Sequence, residues 1–125
     1  LAELQLQDYV EFLGWIPDKQ IPLWMNACDL FVHPSLAESF GIVQIEAMAC
    51  GKPVVATING GSECIIVSDD YGLLAEPADS KDLAAKILLA LDREWDREAI
   101  LEYAQRYTWE NVAKEIVEVY ALILE

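Results

Sequence analysis

The stretch Leu30 to Gly51, LFVHPSLAESFGIVQIEAMACG, decides the fold. Leu30, Phe31, Val32 and His33 form a short apolar strand, and Pro34 stops it. Residues 34–40 read as loop. Ile42 to Cys50 reads as a helix that ends at Gly51, a common place for glycine just past a helix. A strand, a loop and a helix in that order leave several backbone N–H groups free at the loop–helix junction, with the positive end of the helix dipole behind them. Such a junction suits phosphate. Gly41, with no side chain, lets a ligand approach the backbone closely.

The same alternation continues outward. Downstream, Pro53 to Thr57 reads as a buried strand, Asn59-Gly60-Gly61 as a turn, Glu63 to Val67 as a short helical or extended piece, and Tyr71 to Ala75 as another strand. Upstream, Val10 to Leu13 reads as a strand ending at Gly14. Pro17-Asp18 opens a helical stretch to about Ala27, with Ile21, Trp24, Met25 and Cys28 at helical spacing; Pro22 is tolerable in its first turn. Three helices close the chain. Asp79 begins the first, with Asp82 three residues on in a capping-box-like arrangement and Leu83, Ala84, Ile87, Leu88 and Leu91 as its apolar face. The second runs from about Asp96 to Gln105, with Ala99, Ile100 and Tyr103 inward. The third follows Thr108 and carries a stripe of Val112, Ala113, Ile116, Val117, Tyr120, Ala121 and Leu124, a clean helical period. Strands alternating with helices predict an α/β fold, a parallel sheet with helices on its faces.

The chain has 125 residues, 54% of them hydrophobic and 24% charged, enough to bury one small core and too apolar for disorder. Net charge is −14, which disfavours nucleic acid and anionic membrane surfaces as partners. No apolar run approaches the ~20 residues of a membrane span. The chain starts at Leu1 with no signal-peptide pattern, and we expect a soluble, cytoplasmic piece of a longer polypeptide; peripheral membrane attachment of the full-length protein is left open. Cys28, Cys50 and Cys64 have no metal-ligand spacing and an odd count, so buried free thiols in a reducing compartment are expected.

Two carboxylates bracket the junction. Glu38 and Glu46 are eight residues apart; on one continuous helix that spacing gives ~80° of rotation and ~12 Å of rise, too far for a tight pair. With the helix starting near Gly41, Glu38 is a loop carboxylate and Glu46 a helical one. Helical side chains lean toward the N-terminus, so both could approach one crevice from different sides. Carboxylates accept hydrogen bonds from vicinal hydroxyls. An anion site flanked by two of them suits a sugar–phosphate–ribose ligand, while solvated helix-end charges are the plain alternative.

The stretch Pro34 to Ala56 resembles the signature of glycosyltransferase family 4, the retaining enzymes of GT-B architecture. Glu38 and Glu46 have seven residues between them, and Ala47, Gly51, Pro53 and Val54 follow in the family's Ala-x-x-x-Gly-x-Pro-Val run. Val10 to Gly14, Ala27 to Val32, Gly72-Leu73-Leu74, Pro77-x-Asp79 and Tyr107-Thr108-Trp109 fit the family's flanking segments in order. The resemblance implies a Rossmann-like parallel sheet with helices on both faces, the C-terminal part of a GT-B donor-binding domain, over residues 1–125. It implies a donor that is a UDP-, GDP- or ADP-sugar, no cofactor and no metal. By position, Glu38 would be the catalytic carboxylate and hold hydroxyls of the transferred sugar. Glu46 would bind the ribose, and the backbone amides of Ser39, Phe40, Gly41 and Ile42 the sugar and distal phosphate. Gly14 and Trp15 would lie near the nucleobase, a weaker transfer.

Glu63 matches the family's Gly-x-x-Glu turn counted from Gly60, with Asn59 where a second glycine is usual. The family's Arg and Lys for the diphosphate, and its N-terminal acceptor-binding domain, lie upstream of these residues. Lys52, past the helix C-terminus, is a poor substitute. The segment alone is therefore expected to be inactive. A half-site module working with a partner chain and a GT-B nucleotide-sugar epimerase are the competing functions. Elsewhere, His33 as a general base is weighed against an ordinary strand end. Trp24, Trp95 and Trp109 are expected to pack, Asp69-Asp70 to form a solvated turn, and Glu110, Glu115 and Glu118 to be the wet side of the last helix.

Overall fold

The computed structural model describes residues 2–124. Its three strands are β1 (Phe31–His33), β2 (Val54–Thr57) and β3 (Gly72–Ala75), all parallel in the order β1-β2-β3. Phe31 pairs with Val54 and His33 with Ala56, while Val54 pairs with Gly72 and Thr57 with Ala75. Between and after the strands run α1 (Ile21–Ala27), α2 (Ile42–Ala49), α3 (Ser62–Ile65), α4 (Ser80–Asp92), α5 (Arg97–Ala104) and α6 (Trp109–Leu124).

The central strand builds two cores because successive side chains point to opposite faces. Val54 and Ala56 join Met25, Met48, Ile65, Ile100 and Tyr103 on one face. Val55 joins Leu73 and Ala90 on the other, with Leu83 and Ile87 of α4 against them. Helices thus cover both faces, as an all-parallel sheet requires. Every residue of β2 is buried, whereas β1 is only half-buried throughout. The reason is topological: β2 occupies one edge of β1, and among the described residues no strand occupies the other.

Local chemistry sets the helix starts. Asp79 accepts from the amides of Lys81 and Asp82 at 2.9 and 3.0 Å. Asp82 does not reach back to Asp79 as in a capping box; it accepts from the Glu76 amide at 2.8 Å and ties the β3–α4 loop instead. Asp96 caps α5 through the Ala99 amide at 3.1 Å.

Several expectations fail for one reason, the lack of a covering layer among the described residues. Val10 to Leu13 is not a strand: no ladder partner exists for it among the described residues, and Phe12 is 81% exposed. A strand needs its backbone groups paired. In α4, Leu83 and Ile87 face the sheet with Ala90, but Ala84, Leu88 and Leu91 lie on the open side. The α6 stripe buries nothing; Val112 is half-buried, and Ile116, Val117, Tyr120 and Leu124 are exposed. Trp109 is 89% exposed and Trp24 is also open. Trp95 does pack, donating to the Ala90 carbonyl at 2.7 Å beneath the Arg93 guanidinium. Cys64 is exposed rather than buried, while Cys28 and Cys50 are half-buried, all three as free thiols.

Candidate functional site

The site gathers at the C-terminal end of β1, where the loop 34–40 turns into α2. Gly41 caps α2 with φ +90, a left-handed conformation that favours glycine. A Cβ there would also collide with the Gln44 amide. Gln44 shares the inner face of α2 with Ala47 and Met48 and is completely buried. Its Nε2 donates to Ser62 Oγ at 2.9 Å, while its Oε1 has no partner among the described residues. This buried tie joins the start of α2 to the start of α3.

The turn before α3 presses on the same loop from the other side. A Cβ on Gly61 would lie 2.7 Å from the Glu38 carbonyl oxygen and 2.9 Å from the Phe40 nitrogen, so only glycine fits. Asn59 does more than tolerate a turn: its Oδ1 accepts from the Gly61 and Ser62 amides at 3.2 and 2.9 Å, and its Nδ2 donates to the Ser35 carbonyl at 3.2 Å. The Thr57 hydroxyl donates to that same carbonyl. Glu63 folds back to accept from the amides of Asn59 and Gly60 at 3.0 and 3.1 Å. Those backbone donors hold its carboxyl below the usual glutamate range. Glu63 and Asn59 therefore shape the turn, a structural role for both.

Glu38 lies at the centre. Its Oε2 is 3.2 Å from His33 Nε2, and its Oε1 accepts from the amides of Ser39 and Phe40 at 2.9 and 3.5 Å. The His33 hydrogen bond and then the loop amides lower its pKa, so the carboxylate form is favoured. Phe40 fixes the far side of the loop by an edge-on contact with Tyr107, centroids 5.9 Å apart. Tyr107 meets Tyr103, whose hydroxyl donates to the Ile65 carbonyl at 2.7 Å. Burial and the neighbouring Tyr107 push the Tyr103 hydroxyl well above the usual phenol range, which leaves it a fixed neutral donor.

Four of the expected residues, Glu38, Ser39, Phe40 and Gly41, therefore come together, with Ile42 continuing into the first turn of α2. The arrangement differs from the expected one in a specific way. The Ser39 and Phe40 amides are not free; the Glu38 carboxylate already occupies them. Glu46 is exposed on the outer face of α2, where it lines a groove of about 620 Å³ with Asp18, Ile21, Pro22, Met25, Ala49 and Cys50. It shares no hydrogen-bonding partner with Glu38 among the described residues. Burial, more than the nearby Cys28 thiol, pushes the Cys50 thiol up and keeps it protonated. Gly14 has a left-handed backbone in open space and Trp15 is 84% exposed, so neither packs against the cluster. Sequence reasoning missed the roles of Gln44, Ser62 and Asn59. Gln44 carried a usable signal, a polar residue on the apolar face of α2. Among the described residues no group of three His, Cys, Asp or Glu side chains is placed to hold a metal ion. Nor among them is any helix long and apolar enough to cross a membrane.

In open α/β domains the crevice outside the C-terminal strand ends is where ligands generally bind, and the loop 34–40 lies at the C-terminal end of β1. The chain belongs to the family of glycosyl transferases group 1, whose model it matches over residues 1–107. It is 38% identical over 122 residues to the D-inositol 3-phosphate glycosyltransferase of Corynebacterium urealyticum, covering 94% of this chain and 29% of that protein. Its fold superposes on sucrose-phosphate synthase from Thermosynechococcus elongatus with a TM-score of 0.86 at 35% identity, over 98% of this chain and 32% of that one. Anabaena HepE, solved in complex with UDP, superposes with a TM-score of 0.82 at 36% identity, over 96% of this chain and 34% of that one. The architecture is that of GT-B C-terminal domains. The chain spans about a third of the length of these relatives.

Proposed function

We propose that this chain forms the sugar- and ribose-facing wall of the donor site in a longer, retaining glycosyltransferase. Such an enzyme would transfer a hexosyl group from a nucleoside diphosphate sugar to an acceptor. Residues 1–125 would be the C-terminal part of its donor-binding domain. The acceptor-binding domain and the cationic residues for the diphosphate would come from the rest of that protein. A complex of one relative with UDP makes UDP a reasonable nucleotide to try first.

The observation that carries this reading is the anion already seated at the junction. The amides of Ser39 and Phe40 converge on one carboxylate oxygen of Glu38. Donors that hold a carboxylate oxygen can hold a phosphate or sugar oxygen in the same place. With a net charge of −14 the chain does not draw in a diphosphate by bulk attraction. Local, preorganised donors and the cationic residues of the rest of the protein would do it, and they act hardest where charge develops on the departing phosphate. When a donor oxygen takes these amides, Glu38 Oε1 is released to accept from a sugar hydroxyl. Glu38 then orients the sugar rather than attacking it. Glu46 would accept from the ribose hydroxyls; the groove it opens on also carries Ile21, Pro22 and Met25.

Substitution in the full-length enzyme separates these roles. Glu38→Gln is expected to lower donor turnover by about a hundredfold or more while nucleotide affinity stays within a few fold. Glu46→Gln is expected to weaken calorimetric binding of the free nucleoside diphosphate by about tenfold, the value of one charged hydrogen bond. Near-normal turnover by Glu38→Gln would refute the assignment.

A further inference from the structure

We infer that His33 is a positioning residue for the transfer: it holds one oxygen of Glu38 while the other changes partners from the loop amides to the donor. The inference rests on the role proposed for Glu38. It starts from how the two carboxylate oxygens are divided. Among the described residues, Oε1 is held by two backbone amides and Oε2 by the His33 ring alone. A ligand oxygen that takes the amides strips Oε1 of both partners at once. A freed glutamate has three rotatable side-chain bonds and would lose its aim. The contact at Oε2 is what remains to keep it.

His33 is built to be that fixed point. It is the last residue of β1, registered against Ala56, so its backbone belongs to the sheet and not to the loop. Its ring stacks on Phe31 with centroids 6.4 Å apart and 12° between planes. The side chain is 19% exposed, against 29% for Glu38. A carboxylate only accepts hydrogen bonds, so Nε2 must carry the proton in this pair. A donor fixed on a rigid strand and an acceptor on a loop form an asymmetric couple, in which the strand sets the position. His33 does not itself need to touch the substrate.

The test uses the full-length enzyme with UDP-glucose, GDP-mannose and ADP-glucose as donor probes, following release of the nucleoside diphosphate. His33→Phe keeps the ring stacking and removes the donor. It is expected to lower kcat between about tenfold and a hundredfold, the range for one hydrogen bond to a charged group, with KM and affinity for free UDP within about threefold. His33→Gln, which restores an N–H donor of similar reach, is expected to recover most of the rate. His33→Asn, polar but too short, is expected to lose it. In a Glu38→Gln background His33→Phe is expected to add little, because the two residues act through one another. Wild-type kcat in His33→Phe overturns the inference, as does an undiminished additional loss in the Glu38→Gln background or an equal loss of UDP affinity. Should His33→Phe not fold, the His33→Gln and His33→Asn pair decides: equal rates overturn the inference. Normal turnover by Glu38→Gln would instead refute the role of Glu38 itself.

Discussion

Helices α2 and α6 make an instructive pair. Helix α6 is twice as long, 16 residues against eight, and its apolar stripe repeats more regularly. Yet α2 buries Gln44, Ala47 and Met48 completely, and α6 buries no residue fully. Helix α2 sits between β1, β2, α1, α3 and α5 and is met on several sides. Helix α6 meets mainly the 3-10 turn at Gln105–Tyr107. An amphipathic period measures what a helix could bury. Which part of it is buried depends on what the rest of the chain brings alongside.

The largest expected effect that sharpens this contrast lies in α2. Met48 is fully buried, so Met48→Ala should destabilise the intact protein by about 2–5 kcal/mol in denaturant titration. A loss below about 1 kcal/mol would mean that the α2 core is looser than described. An intermediate effect is expected at the turn that braces the site. Glu63→Gln removes a carboxylate that receives two backbone amides, and it should lower the melting temperature at neutral pH. The folded pKa of Glu63 is depressed. Its contribution is therefore present above the unfolded pKa and fades as pH falls through the folded one. The difference between wild type and Glu63→Gln should shrink in acid, below the ordinary glutamate range. A gap that stays constant with pH would exclude the carboxylate as its cause. The smallest effect is expected in α6. Val117→Ser should change stability by no more than about 0.5 kcal/mol if the stripe stays as open as it is here. A cost of about 2 kcal/mol in the full-length protein would show that another segment covers it.

The sheet and the helices that carry the site were legible because their signals are local. Pro34 stops β1, Gly41 and Gly51 bracket α2, and Asn59-Gly60-Gly61 marks the turn. The placement of Glu38 on the loop and Glu46 on the helix also followed, from the helix start at Gly41. Segments that depend on distant partners were not legible. Val10 to Leu13 has the composition of a strand, but a strand is defined by its neighbour. Trp109 has the volume of a core residue and no core around it. Within the site, the sequence pointed to Glu38 and to the amides but not to their engagement with each other. That pairing depends on a side-chain rotamer, which spacing does not encode. Gln44 was passed over because its helix reads as apolar, although burial of a single polar side chain there joins α2 to Ser62.

The half-covered β1 has a practical consequence for handling the protein. Among the described residues its outer edge has no strand partner, so the backbone donors and acceptors there form a template for another strand, from the rest of a longer protein or from a second copy. The edge is only three residues long, and Pro34 closes it with a residue that has no N–H to offer. Against copies of itself, the net charge of −14 adds long-range repulsion. That protection belongs to neutral, low-salt solution. It weakens as salt screens the charge and as acid neutralises the carboxylates, so buffer composition governs whether this edge stays solitary.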